Sequence, residues 1–171
     1  MTSFLKHLTV AAALACALAS SGLADTLAQP QDTVVLTVSG DITATNSGET
    51  AQFDIEMLSQ IDPTTIETTT IWTDGPQVFE GVALNTLLTQ LGVTTGTIVA
   101  TAINDYSVEI PVSDAVAGGP MIAYKMNGAT MSVRDKGPLW IVYPYDSRAD
   151  YRTEVVYSRS IWQLDRLAVV Q

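Results

Sequence analysis

From position 25 onward this chain of 171 residues contains neither cysteine nor histidine; its one Cys is Cys16 and its one His is His7. A disulfide, a thiolate-held metal or an imidazole-held metal is therefore closed to that stretch, which must fold on its apolar core alone. A domain of about 150 residues buries roughly two thirds of its unfolded surface, which is enough. The same absences remove most familiar catalytic designs. A Ser-His-Asp triad, a Cys nucleophile and the usual Zn, Cu and haem ligand sets cannot be assembled. A hard cation held by carboxylates stays open, yet no acidic loop has calcium-binding spacing.

The first 24 residues read as a leader rather than as part of the fold. Lys6 and His7 precede an apolar run, Leu8 to Ala19, and then the small-residue stretch Ser20-Ser21-Gly22-Leu23-Ala24. That is the layout of a secretory signal peptide, with Gly22 and Ala24 at the positions a signal peptidase reads. An apolar run of about a dozen residues is short for a permanent membrane span. Acylation at Cys16 fits poorly, because Ala13-Leu14-Ala15-Cys16 lacks a Leu three residues before the Cys. The expectation is a signal peptide over 1–24, cleavage after Ala24, and one exported domain over 25–171.

Charge is spread unevenly along that domain. It carries 7 basic and 18 acidic side chains, a net charge of −11. Such a balance argues against nucleic acid, which is bound by clustered Lys and Arg, and against docking on anionic lipid. From Asp25 to Tyr124 there are 13 acidic residues and no Lys or Arg; all 7 cations lie between Lys125 and Arg166. Trp140, Trp162, Tyr143, Tyr145, Tyr151 and Tyr157 share that last third. A cation- and aromatic-rich region suits a flat anionic or amide-bearing ligand, stacked on rings and hydrogen-bonded at its edge. The same residues also suit core packing and solvated ion pairs.

Periodicity gives a mixture of strands and short helices. Asp32 to Ser39, Thr65 to Trp72, Thr97 to Ala102, Ser107 to Ile110, Met121 to Met126, Ala129 to Val133, Leu139 to Tyr143 and Leu164 to Val170 read as strands. Asn127-Gly128 marks a hairpin turn. Phe53 to Ile61, stopped by Pro63, and Val82 to Leu91, closed by Gly92, read as helices, with one further turn after Pro111. The fold class is α+β: a single domain with a mixed sheet and short helices.

Three stretches then carry a likeness to a known family. The first runs from Thr70 to Leu88 and includes Phe79-Glu80-Gly81-Val82 and the Leu87-Leu88 pair. The second is Asn104-Asp105-Tyr106 with Ile110-Pro111. The third runs from Tyr124 to Leu164 and holds the Asn127-Gly128 turn, Arg134-Asp135-Lys136-Gly137-Pro138-Leu139-Trp140, Tyr143-Pro144 and Ser160-Ile161-Trp162-Gln163-Leu164. In order and spacing they resemble the molybdopterin-binding domain of the sulfite oxidase superfamily, over nearly all of 25–171. The resemblance implies a sulfite-oxidase-type, molybdopterin-binding-like domain.

Departures from the enzyme pattern change what the resemblance implies. In that superfamily one Cys thiolate ligates molybdenum, and residues 25–171 have no Cys. Against the family's cofactor-holding runs, Lys136 stands for a His, Trp140 for an Arg and Trp162 for a Lys. Two cations have become rings, a change that favours stacking over phosphate. This points away from an enzyme and from molybdenum. It resembles instead the exported, stand-alone, Cys-less pterin-binding regulators of the PruR type in Gram-negative bacteria. That likeness implies a periplasmic protein that binds a reduced pterin and contacts the periplasmic region of a membrane-bound signalling protein, a cyclic-di-GMP enzyme.

On that resemblance Trp140 or Trp162 offers the stacking face and Asp105 or Asp135 accepts from the ring edge. Arg134, Lys136 and Arg159 meet carbonyl oxygens or an anionic tail, and Trp72 closes the site. Tyr106 and Ser160 fall within the matching runs. Tyr145 to Val155, polar and charged, is a candidate for ordering on binding. Three other readings stay open: a molybdopterin-dependent oxidoreductase that manages without the Cys, a ligand-free periplasmic interaction module, and an acid–base hydrolase using two carboxylates.

Overall fold

The computed structural model describes residues 27–171, so the expected signal peptide, with Cys16, lies outside the described residues. Among the described residues ten strands and three α-helices follow one another, besides three short 3-10 turns: β1 (Leu36–Gly40), β2 (Ala51–Phe53), α1 (Ile55–Gln60), β3 (Pro63–Thr69), β4 (Pro76–Ala83), α2 (Leu84–Gln90), β5 (Thr97–Ala102), β6 (Ser107–Pro111), β7 (Met121–Met126), β8 (Ala129–Thr130), β9 (Leu139–Val142), α3 (Glu154–Arg159) and β10 (Trp162–Val170). The ten strands form one mixed sheet, β2-β1-β10-β9-β7-β4-β3, with β5 and β6 branching from β10 and β8 from β7. The α+β class read from the sequence is what the chain adopts.

β10 organises the sheet. Its C-terminal part lies between β1, to which it runs parallel, and β5, to which it runs antiparallel. Its first residues pair instead with β9, bringing Trp162 opposite Trp140. The changeover falls at Gln163, a non-glycine residue with φ +53°, beside a register shift between Trp162 and Leu164. Such an irregularity bends a strand and re-aims its side chains. Gln163 stays fully employed on its backbone: its N–H donates to Lys136 O at 3.0 Å and its carbonyl accepts from Ile103 N at 2.9 Å.

The helices are short and owe their places to local bonds and to the core. Asp54 caps α1, accepting from Met57 N–H at 2.8 Å. It also accepts from the backbone N–H groups of Gln31 (2.8 Å) and Asp32 (3.1 Å), so it fastens the segment that enters β1. The Met57 bond leads the causes that hold its carboxyl below the ordinary value of 3.8, with burial opposing. α2 presents Leu84, Leu87 and Leu88 to the interior, as the leucine spacing requires.

The strand expected over Ala129 to Val133 shortens to Ala129–Thr130, and Phe53 ends β2 instead of opening α1; two further expectations need correction. β4 replaces the unassigned stretch before Val82, and the helix starts at Leu84 rather than at Val82. In β4 the chain reads Phe79-Glu80-Gly81-Val82, with Gly81 where a Cβ would run into the backbone carbonyl of Ile122; close strand packing, not side-chain alternation, defines this segment. Second, Tyr145 to Val155 is already structured, with a 3-10 turn over Ala149–Tyr151 leading into α3.

Candidate functional site

Aromatic residues from three parts of the chain meet at the bend in β10. Trp72 stands in the turn after β3, where its N–H donates to Thr70 Oγ1 at 3.0 Å. Around it the ring centroids of Trp162, Tyr157 and Trp140 lie at 5.5, 5.7 and 5.8 Å, all edge-to-face. Each such pair contributes about 0.5–1.5 kcal/mol beyond the area it buries. Tyr157 continues to Tyr145 (5.5 Å) and Tyr145 to Tyr143 (6.4 Å).

Trp140 is the anchor of this cluster. It has no exposed surface, packs its ring at 5.3 Å from Phe79, and donates Nε1–H to Ser160 O at 3.2 Å. The Ser160 hydroxyl is equally committed, accepting from Tyr145 OH at 2.7 Å and donating to Val156 O at 2.8 Å. Burial raises the Tyr145 hydroxyl to about 12, so it stays a protonated donor. These bonds fix where α3 ends and β10 begins.

Above this base lies a cavity of about 390 Å³, within the usual range for small-molecule sites of roughly 300–1,000 Å³. Trp72, Tyr106, Tyr157 and Trp162 supply its rings; Asn104, Ser158, Ser160 and Gln163 supply polar groups; Ala102 and Ile161 complete it. No lining side chain carries a charge. Among the described residues, the indole N–H groups of Trp72 and Trp162, the hydroxyls of Tyr106 and Tyr157 and the Asn104 amide N–H₂ have no protein acceptor. The Gln163 amide donates to Val133 O at 2.7 Å, which leaves its Oε1 free to accept. The cavity thus offers flat faces, several donors and one amide acceptor.

The residues expected from sequence separate into three groups. Trp72, Tyr106, Ser160 and Trp162 come together as lining. Trp140 does not offer a stacking face; it is buried beneath Trp72 and Trp162. Arg134 and Asp135 sit on the adjacent 3-10 turn over Val133–Asp135, which Lys136 closes, with Asp135 accepting from Ser132 Oγ at 2.7 Å and Lys136 Nζ 5.6 Å from the Trp140 ring. Asp105 turns outward to Arg166 Nη2 at 2.6 Å rather than toward the cavity.

Arg159 also faces elsewhere. It lines a second cavity of about 370 Å³ on the other side of α3 and binds Asp114 at 2.8 Å, the carboxylate that accepts Tyr143 OH at the same distance. Burial foremost, then the Asp114 charge, pushes the Tyr143 hydroxyl far up.

Sequence reading missed Tyr157, Ser158, Asn104 and Gln163 as lining. All four lie within the stretches that carry the resemblance, where nothing local marks them as lining; the kink at Gln163 has no sequence signature.

The described residues do not fit a complete molybdenum–molybdopterin group. They supply no thiolate for the metal, and the cavity supplies no cation for the phosphate. Its rings and donors fit the flat heterocycle alone. Among the described residues no cluster of metal-ligating side chains occurs, and no helix is long and apolar enough to cross a membrane.

Comparison with known proteins places the fold. The family model of the oxidoreductase molybdopterin binding domain matches residues 65–147, a span that includes Trp72, Asn104 and Tyr106 but stops short of α3 and β10. No curated protein matches the chain. Among solved structures, the sulfane dehydrogenase SoxCD from Paracoccus pantotrophus is similar, at a TM-score of 0.56 and 18% identity, over 78% of this chain and 37% of that one. The present chain therefore spans well under half of that chain's length. Residues 65–147 thus match the oxidoreductase molybdopterin binding domain, and the chain built around them has a fold similar to that of the sulfane dehydrogenase.

Proposed function

We propose that this protein is an exported receptor for a reduced pterin, and that it reports occupancy to a membrane-bound partner without chemistry on the ligand. The observation that carries the reading is the uncharged aromatic cavity, in a family built around a pterin, with no thiolate beside it. A pterin presents a planar face to Trp72, Trp162 or Tyr157. Its carbonyl oxygen and ring nitrogens accept from the free indole, phenol and Asn104 donors, and one ring N–H donates to Gln163 Oε1.

Export to the periplasm rests on the leader-like 1–24 stretch, and the cyclic-di-GMP enzyme as partner rests on the resemblance to PruR-type proteins. An oxidoreductase reading lacks its soft ligand. A ligand-free module would fill the cavity with its own side chains, whereas about 390 Å³ stays open.

Anaerobic calorimetry with a tetrahydropterin, and a molybdenum assay on the same sample, test the proposal. Saturable binding at about micromolar affinity or tighter, without metal, is the expected outcome. A folded protein that does not bind, or that carries stoichiometric molybdenum, overturns it.

A further inference from the structure

Resting on the receptor reading, we propose that the rim of the aromatic cavity is the docking surface for an acidic partner protein, which closes over the bound ring. The observation is a concentration of exposed apolar side chains at one mouth. Ile71 (61% exposed), Ile103 (45%), Tyr106 (57%), Val133 (52%) and Trp162 (37%) all stand there. Ile71 adjoins Trp72, Ile103 lies between the lining residues Ala102 and Asn104, and the Val133 carbonyl accepts from Gln163. Single exposed apolar residues are ordinary, but a contiguous group around a pocket marks an interaction site.

The charges at this rim say what kind of partner fits. Arg134 and Lys136 come just after Val133 with Asp135 between them; Asp135 accepts from Ser132 Oγ, and among the described residues neither cation has a carboxylate within ion-pair distance. Arg166, the third cation at this mouth, binds Asp105 and the Ala102 carbonyl. Residues 25–124 hold no cation at all, and of the four cations elsewhere Lys125, Arg148 and Arg159 are each paired with a carboxylate. Trp, Tyr and Arg are the residues that dominate binding energy at interfaces. A rim of this composition is complementary to an apolar surface ringed by Asp and Glu.

Ligand dependence follows from the geometry. The cavity opens at the centre of this rim, so an empty receptor presents a hole where the interface should be packed. A bound ring fills it and adds its own outer edge to the contact surface. Partner affinity is therefore higher for the occupied form, by about tenfold or more.

The test places a photo-crosslinking residue in the full chain, one position at a time, in the cells that make it. Ile71, Ile103 and Val133 probe the rim; Glu49 and Val170, near the opposite end of β10, serve as controls. The expected result is a single foreign-protein adduct from the rim positions, about tenfold above the controls. Its crosslinked peptide is acidic, and its yield falls with Arg134→Glu or Lys136→Glu. Equal yields at both ends, an adduct with a second copy or with lipid, or no adduct overturns the proposal. Each purified variant is also titrated with a tetrahydropterin. A rim adduct in a protein that binds no pterin removes the receptor reading and leaves the docking surface standing.

Discussion

Two cavities of nearly equal size lie on opposite sides of α3, at about 390 and 370 Å³, and their polar groups are arranged in opposite ways. The second is full of charge, with Arg148, Arg159, Asp114 and Asp150 around Tyr143 and Tyr151. Its charges are spent on one another: Arg159 on Asp114 at 2.8 Å and Arg148 on Asp150 at 3.1 Å, with the Arg148 guanidinium 4.9 Å from the Tyr151 ring. The first cavity has no charge, but its indole, phenol and Asn104 donors are uncommitted. A group already paired within the protein must lose that partner before it can bind anything else, whereas an unpaired donor at a cavity wall has only water to displace. Volume does not separate the two; the state of their hydrogen bonds does.

That contrast can be broken most severely from beneath. Trp140→Ala removes a fully buried indole that supports Trp72 and Trp162, and should cost about 3–5 kcal/mol. Urea unfolding measures this, and pterin binding should disappear with it.

Trp162→Ala sharpens the contrast instead, because its ring is partly exposed and faces the first cavity. Pterin affinity should fall by about 1–3 kcal/mol, the usual worth of stacking a flat base on an aromatic side chain. Calorimetry on the folded variant tests this; an unchanged affinity would move the ligand off this wall.

Tyr143→Phe is the matching change in the second cavity. It deletes one hydrogen bond to Asp114 while Arg159 keeps the carboxylate paired, and should cost about 1–3 kcal/mol of stability. Pterin affinity should not change. If it does, the two cavities are coupled through α3.

The smallest effect lies away from both cavities. Asp54→Ala, which uncaps α1, should cost about 1 kcal/mol. Because the folded carboxyl sits below its ordinary 3.8, its contribution is complete above that value and fades as pH falls through the lower folded value. The difference between native and variant stability should therefore shrink in strong acid, in denaturant titrations at about pH 7 and pH 2.

How much of this was legible in the sequence depended on what each residue signals locally. β5, β6 and β7 matched their alternating or apolar runs, and the leucine spacing of α2 gave its buried face. β4 escaped because Gly81 interrupts its side-chain pattern where β7 packs close. α3 escaped because six residues with only Val156 buried leave no readable stripe. Trp72, Tyr106, Ser160 and Trp162, named through family likeness, line the first cavity. Trp140 and Arg159 were named with them but face the core and the second cavity, since sequence order does not say which way a side chain turns. The bend at Gln163, which decides where Trp162 points, is set by tertiary pairing with β9, β5 and the Lys136 turn.

A crystal structure of the protein grown anaerobically with a tetrahydropterin tests the central claim most directly. The account requires the ring between Trp72, Tyr157 and Trp162, its edge on Asn104 and Gln163, and no metal beside it. A ring seated instead among Arg148, Arg159 and Asp114, or one carrying molybdenum, would contradict it.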